Sequence, residues 1–358
     1  MEMSYAENPT SCDGIVPDHS RNSALLRRQI LCSPAGAAQS SQSRGACPVR
    51  SRRGRQSKPC KVSILRFLAT MKLVPEEDKS ATVAEVFAAL VGPHVEDERI
   101  PLDRAALTIA SSEYPDLDFD RYLHRLEELA RCVKARLPHV AEPGETIAAL
   151  NCVLFEQERF RGNRENYYDA RNSFLNDVLE RKLGIPITLA LVYMEVARRI
   201  GFPLFGVGMP GHFLLKHYDV EGRETLIDAF NRGAIVTARE CQSRLDEIYS
   251  GQLPLQPQFL LSVSRRQMLA RILNNLKNVY MSARNFRKAL EVVDLICAIY
   301  PRSPEDVKQR ALLRYSVGQL RGAVEDLEEY LKMSPDASDA DEVRHTALSI
   351  RRSLATLN

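Results

Sequence analysis

The stretch GIPITLALVYMEVARRIGFP, residues 184 to 203, constrains this chain more than any other. It reads as a buried helix, framed at each end by a glycine, an apolar residue and a proline. A helix that is apolar on most of its faces has to be enclosed by other elements. The sequence after it supplies a wall: LFGVGM, GHFLLKHYD and ETLIDAF are short β-like runs, separated by turn signals at PG and VEGRE. One central helix followed by the strands of a small antiparallel sheet is an α+β layout.

The residues upstream are helical. SATVAEVFAALVG places Val83, Val86, Phe87 and Leu90 on one face and is stopped by Gly92 and Pro93. DLDFDRYLHRLEELARCVKARL continues with Leu123, Leu126, Leu129 and Val133 on one face, and its His124, among charged neighbours, reads as a solvated helix residue. TIAALNCVLF is a further helix, and NYYDARNSFLNDVLERKLG is a loop running into a short one.

Charge separates the first residues from the rest. Residues 19 to 75 hold twelve Lys or Arg and no acid, so residues 1 to 75 carry +8 and the remaining 283 carry −5, giving the net +3. A mildly acidic body argues against a spread nucleic-acid footprint. The leader, residues 1 to 74, is rich in Ser, Arg, Gly, Ala and Pro and has too little apolar content to order itself. It is compatible with a solvated basic tail, an organelle transit peptide, or an upstream extension absent if translation starts at Met71; the composition change at MKLVPEEDKS favours the last. A nucleic-acid-binding arm is weaker still, for want of interleaved aromatics.

No apolar run approaches the roughly 20 residues needed to span a bilayer, so no membrane segment is expected. Cys12, Cys32, Cys47 and Cys60 lie in the leader, and Cys132, Cys152, Cys241 and Cys297 are scattered singly with no CxxC pair. That spacing predicts reduced thiols in a cytoplasmic protein rather than a disulfide framework or a metal site. No cofactor motif is present.

The C-terminal part repeats. RNFRKALEVVDLICAIYP (284 to 301) aligns on GQLRGAVEDLEEYLKMSP (318 to 335) with a shift of 34 residues, matching Arg287 to Arg321, Ala289 to Ala323, Glu291 to Glu325 and Pro301 to Pro335. A 34-residue period in helical sequence is the tetratricopeptide (TPR) signature. Two repeats and a capping helix, DEVRHTALSIRRSLATL, are too few for a free-standing solenoid, so the module is expected to pack on the α+β part through SRRQMLARILNNLKNVYM.

Chemistry enters at His212. GMPGHFLLKHY sets it at the start of a strand after a Pro-Gly turn, and Asp228 ends another strand sixteen residues on. A histidine oriented by a carboxylate is the base half of a catalytic triad; the alternative is a hydrogen-bonded core histidine and a turn-capping aspartate. His217, five residues along, points to the opposite face, which disfavours a metal pair. Short polar residues flank the region: Asn172, Ser173, Asn176 and Asp177 before the helix, Asn231 and Arg232 after the strands. They either tie loops to the backbone or form a ligand-binding rim around His212.

FRGNRENYYDARNSFLNDVLERKLGIPITLALVYMEVARRIGFPLFGVGMPGHFLLKH and LIDAFNRG resemble the bacterial Sir-B-type proteins, which join a transglutaminase-like core to C-terminal TPRs, a unit also met in some F-box proteins. The resemblance covers about residues 75 to 356, and implies a papain/transglutaminase fold with a central helix on a sheet carrying His and Asp. It implies an N-terminal helical region over 75 to 140, a core over 141 to 261 and TPR helices over 262 to 358. In active members of the superfamily a Cys begins the central helix, one turn before a small residue. Here the small residue is Ala190, and one turn back stands Pro186. Proline suits a first helical position, where its missing N–H costs nothing, but it brings no thiol. Thr188, in the same turn, offers only a hydroxyl that helix starts commonly use for local bonding, and Cys152 lies in an apolar helix. The expectation is a catalytically degenerate core that binds a protein or peptide through its cleft or its TPR surface. The alternative is an active peptidase, amidase or transglutaminase using His212, Asp228 and another nucleophile.

Overall fold

The computed structural model describes residues 82 to 356; the expectations for the leader lie outside the described residues. The chain first forms three helices, α1 (Val83–Val91), α2 (Leu102–Ser111) and α3 (Phe119–Lys134). In α1, Thr82 and Glu85 cap each other reciprocally: Thr82 Oγ1 accepts from Glu85 N–H at 3.3 Å and Glu85 Oε2 accepts from Thr82 N–H at 2.7 Å. Leu126, Leu129 and Val133 of α3 are buried as their spacing predicts, and His124 is exposed beside Glu128.

Then come α4 (Pro143–Asn151), a π-helical turn at Cys152–Gln157, β1 (Arg161–Gly162), α5 (Leu175–Arg181), β2 (Leu183–Gly184) and the central helix α6 (Pro186–Arg199). Strands β3 (Phe205–Val207), β4 (Leu214–Tyr218), β5 (Glu224–Asp228), β6 (Ala234–Val236) and β7 (Ser262–Val263) form one sheet, with α7 (Ala238–Tyr249) inserted before β7. The strand order is β6-β5-β4-β3-β7 and each pairing is antiparallel, while β1 and β2 form a separate parallel pair. The fold is mixed α+β, as expected. The three β-like runs of the sequence contain β3, β4 and β5; β1, β2, β6 and β7, of two or three residues, lie outside those runs.

The sheet lies between two apolar layers. Phe213, Leu215 and Ile227 join the main core around α6, where Tyr193, Val196 and Ala197 are wholly buried. Val207, Leu214 and Leu226 pack on the other side against Cys241 and Leu245 of α7. Alternate residues of β4 therefore serve different cores, as the two-residue period of a strand requires.

The helices α8 (Arg265–Ser282), α9 (Phe286–Ile299), α10 (Pro304–Ser316), α11 (Leu320–Met333) and α12 (Ala340–Thr356) complete the chain. Met268, Leu269, Ile272, Leu273 and Leu276 of α8 belong to the main core, so the first repeat is built into the body. Polar contacts fix the joint. Asp97 caps the start of α8, accepting from the N–H groups of Arg265 at 2.7 Å and Arg266 at 3.1 Å, while the Arg266 guanidinium donates to the carbonyls of Val91 and Gly92 at the end of α1. Val307, Leu327, Tyr330, Val343 and Ile350 form a second cluster among the last three helices.

The far end of α6 is held by charge. Arg199, with a side chain only 6% exposed, lies 2.6 Å from Asp103 of α2 and 2.6 Å from Glu195. It also reaches Glu127 of α3 at 2.9 Å. Burial pushes the Glu195 carboxyl up, with the charge of Asp103 adding to it; burial acts likewise on Asp103, but the hydrogen bond and charge of Arg199 outweigh it and hold that carboxyl low.

Candidate functional site

The turn before β4 sets the histidine. His212 N–H bonds back to the Met209 carbonyl at 3.1 Å, and Gly211 sits at φ +70°, a left-handed conformation that favours glycine. Arg271 of α8 locks the turn from below: its Nη2 donates to the carbonyls of Met209 at 3.0 Å and His212 at 2.7 Å. Its guanidinium lies 5.5 Å from the Phe213 ring.

His212 Nε2 is 2.9 Å from Asp228 Oδ2, and both side chains are buried. The structure thus joins the two residues that the sequence proposed as a pair. Asp228 is surrounded by donors. Its Oδ2 also accepts from Asn231 Nδ2 at 2.7 Å and lies 3.3 Å from Arg244 Nη2, and its Oδ1 accepts from the N–H groups of Phe230 at 3.1 Å and Asn231 at 3.2 Å. Burial alone pushes this carboxyl up; the hydrogen bond and charge of His212, then Asn231 and Arg244, outweigh it and hold the group below its ordinary 3.8. An ionised Asp228 only accepts, so Nε2 carries the proton it donates, and in the neutral imidazole the lone pair falls on Nδ1. Among the described residues nothing hydrogen-bonds Nδ1.

The central helix packs on the Ala229–Asn231 turn that follows Asp228. Pro186 occupies its first position and is buried. Thr188 is wholly buried and engaged locally: its Oγ1 accepts from Ile185 N–H at 3.1 Å and donates to the Asn172 carbonyl at 2.7 Å. Neither presents a free nucleophile to His212. The four described cysteines are unpaired. None hydrogen-bonds the imidazole; burial pushes the Cys241 thiol up, and pushes the Cys297 thiol up to about 12.

The remaining polar candidates divide between interior and surface. Asn172 is wholly buried, its Nδ2 donating to the carbonyls of Asn166 at 2.7 Å and Tyr167 at 3.1 Å and its Oδ1 accepting from Asn163 Nδ2 at 3.0 Å. Ser173 and Asn176 are buried, and Asn176 Oδ1 has no partner. Asp177 accepts from the Tyr114 hydroxyl at 2.7 Å. Asn172 thus braces the loop before α5, and Asp177 ties α5 to Tyr114 beyond the end of α2. Asn231 and Arg232 instead line a pocket of about 460 Å³ together with Arg161, Arg164 and Phe230. His217 stacks on Phe202, ring centroids 4.1 Å apart, and donates from Nδ1 to the Pro203 carbonyl at 3.0 Å, at the other end of α6 from Pro186.

Sequence reasoning missed Arg244, Arg271, Arg161 and Arg164. Arg244 was findable, because its neighbours Cys241 and Leu245 mark the inner stripe of α7. Arg271 carries no local signal, since its partners are carbonyls some 60 residues away.

A family model described as "Transglutaminase-like superfamily" matches residues 120–274, and one described as "Tetratricopeptide repeat" matches residues 276–347. A UPF0162 protein of Xylella fastidiosa is 38% identical over 253 residues, which cover 70% of this chain and 90% of that protein. The chain belongs to the UPF0162 family. A UPF0162 protein of Vibrio cholerae is 26% identical over 68% of this chain and 90% of its own length. Similarity extends outside the family to the F-box only protein 21 of Mus musculus, 32% identical over 49% of this chain but only 28% of that longer protein. A solved structure of menin superposes on 74% of this chain and 73% of its own with a TM-score of 0.33 and 13% identity, too loose to define a shared fold. The union of a transglutaminase-like core with TPR helices is therefore a feature of this chain, and no described helix is long and apolar enough to cross a membrane.

Proposed function

We propose that this UPF0162 protein is a binding or regulatory module whose transglutaminase-like core has lost acyl-transfer chemistry. The observation that carries the reading is Pro186 at the first position of the central helix, a helix that packs on the turn following the intact His212–Asp228 pair. Acyl transfer of this type begins with attack by a thiolate or alkoxide, and a base without a nucleophile cannot start it. The TPR helices support a protein or peptide partner, because this repeat class generally mediates protein–protein interaction. Residues 1 to 70 aside, a cytoplasmic setting accords with the unpaired Cys241 and Cys297.

The test is chemical. Purified protein treated with an electrophilic cysteine probe should show no labelling that depends on His212. Stoichiometric labelling that disappears in His212→Ala would overturn the proposal. Capture with the full chain and with His212→Ala, compared by mass spectrometry, then identifies the partner. The unpartnered Nδ1 favours one second reading, an enzyme in which His212 activates a nucleophile not seen in the sequence pattern, and the same probe experiment decides between them.

A further inference from the structure

The pocket beside the dyad has a charge that its surroundings do not explain. Arg161, Arg164 and Arg232 converge on about 460 Å³ of space over a floor of Phe230 and Leu183, with Glu165 as the one acid in the lining. None of the three arginines forms an ion pair among the described residues. Arg164 is held by two contacts: Nη2 donates to Asn231 Oδ1 at 2.6 Å and the guanidinium lies 5.3 Å from the Phe230 ring. Arg232 holds φ +61°, a conformation that a side-chain-bearing residue adopts at a cost. The backbone is fitted closely too, since a Cβ on Gly162 would come within 2.3 Å of the Phe230 ring. These three arginines, exposed and without ion pairs among the described residues, stand on a body, residues 76 to 358, whose net charge is −5.

We propose that this pocket binds an organic dianion, two carboxylates on a carbon frame, supplied by a free dicarboxylic acid or by adjacent acidic side chains of a peptide. Three guanidinium forks against one carboxylate leave two positive charges to match, and Arg pairs with carboxylates in a bidentate manner. The floor of Phe230 and Leu183 suits a carbon frame better than a bare inorganic ion, and the volume exceeds what one oxyanion fills. The pocket is one residue from the dyad: Asn231 accepts from Arg164 and donates to Asp228, so an occupant that draws Arg164 away alters the donors on Asp228. The inference does not depend on whether the core is catalytic.

Isothermal titration of the full chain with glutarate, with a short peptide carrying two consecutive glutamates, and with inorganic phosphate tests it. At least one carboxylate arm should bind with a millimolar or tighter Kd, and the stronger of the two names the source. Arg164→Gln should weaken that binding about ten-fold or more, the effect expected for one charge-assisted pair. Arg232→Gly, which suits the positive φ, should do likewise without loss of fold, while Arg302→Gln, an exposed arginine outside the pocket, should leave binding unchanged. The proposal is overturned if neither carboxylate binds, if phosphate binds as tightly, or if Arg302→Gln weakens binding as much as Arg164→Gln.

Discussion

Replacing Pro186 by cysteine should create a reactive thiol. The backbone is already prepared for the change: residue 186 is the first of α6, a position where the N–H that a cysteine brings needs no intrahelical partner, and the helix packs on the turn after Asp228. A thiol there gains the free N–H groups and dipole of a helix N-terminus, and is expected to meet an imidazole whose Nδ1 has no hydrogen-bond partner among the described residues. Such surroundings lower a cysteine pKa from about 8.5 to between roughly 3.5 and 7.5. Taking about 6.5 as a cautious value, the thiolate fraction at about pH 6 rises some 75-fold over an unperturbed thiol, while the lower basicity reduces intrinsic nucleophilicity about eight-fold. The net gain in alkylation rate is about ten-fold. The assay is iodoacetamide alkylation followed across pH by mass spectrometry of the peptide containing residue 186, which separates it from the exposed Cys132. In the Pro186→Cys, His212→Ala double variant the gain should fall several-fold, leaving only the helix contribution. A midpoint near the free-thiol value, unchanged by removing His212, would refute the claim that Pro186 stands where the nucleophile of this fold belongs.

Other expectations follow from the same geometry. Arg199→Ala leaves buried Asp103 and Glu195 to share the half-exposed Arg198, at 3.2 and 2.8 Å, a loss of about 2–3 kcal/mol and roughly 5–10 °C in thermal midpoint; adding Glu195→Gln should restore part of it, and calorimetry checks both. Because the folded Asp228 and Asp103 carboxyls lie below their ordinary 3.8, their contribution is present above that value and is lost as pH falls through the lower folded values. Unfolding midpoints taken through that acid range should therefore drop, with a shallower slope in Asp228→Asn. A methyl on Gly233 would lie 1.8 Å from Asn151 Oδ1, and Gly233 holds φ +72°, so Gly233→Ala should destabilise by about 2 kcal/mol or more, read by urea denaturation. Arg271→Leu should free the Met209–His212 turn and raise amide exchange at His212, whereas exchange in α11 should stay as it is.

What could be read in the sequence and what could not have a common physical basis. The central helix was legible because one dense apolar segment bounded by Gly and Pro has few other fates, and β4 and β5 were legible because each alternates between two cores, while β3 was marked by the apolar run between Pro203 and Pro210. The dyad was legible because Pro210 and Gly211 announce the turn that delivers His212, and Asp228 ends the next strand in register. Asn172 and Thr188 show the limit of such reading: a short polar side chain near a site has the same letter whether it faces a ligand or, as here, satisfies backbone groups inside the protein. The arginines mark a different limit. Arg161, Arg164 and Arg232 come from two loops nearly 70 residues apart and meet only because β1 is drawn against the turn after Asp228, with Gly162 under Phe230. Arg271 reaches the histidine turn from a repeat helix that, by its period alone, belongs to another module. Composition gave no hint of Arg161 and Arg164, since the acidic body argued only against a spread nucleic-acid footprint, while Arg232 was singled out for its place beside Asn231. The weight of the pocket rests on juxtaposition: water solvates a single exposed guanidinium on any surface, whereas three lining one cavity, linked through Asn231 to a buried carboxylate, concentrate positive charge at one place on an acidic body.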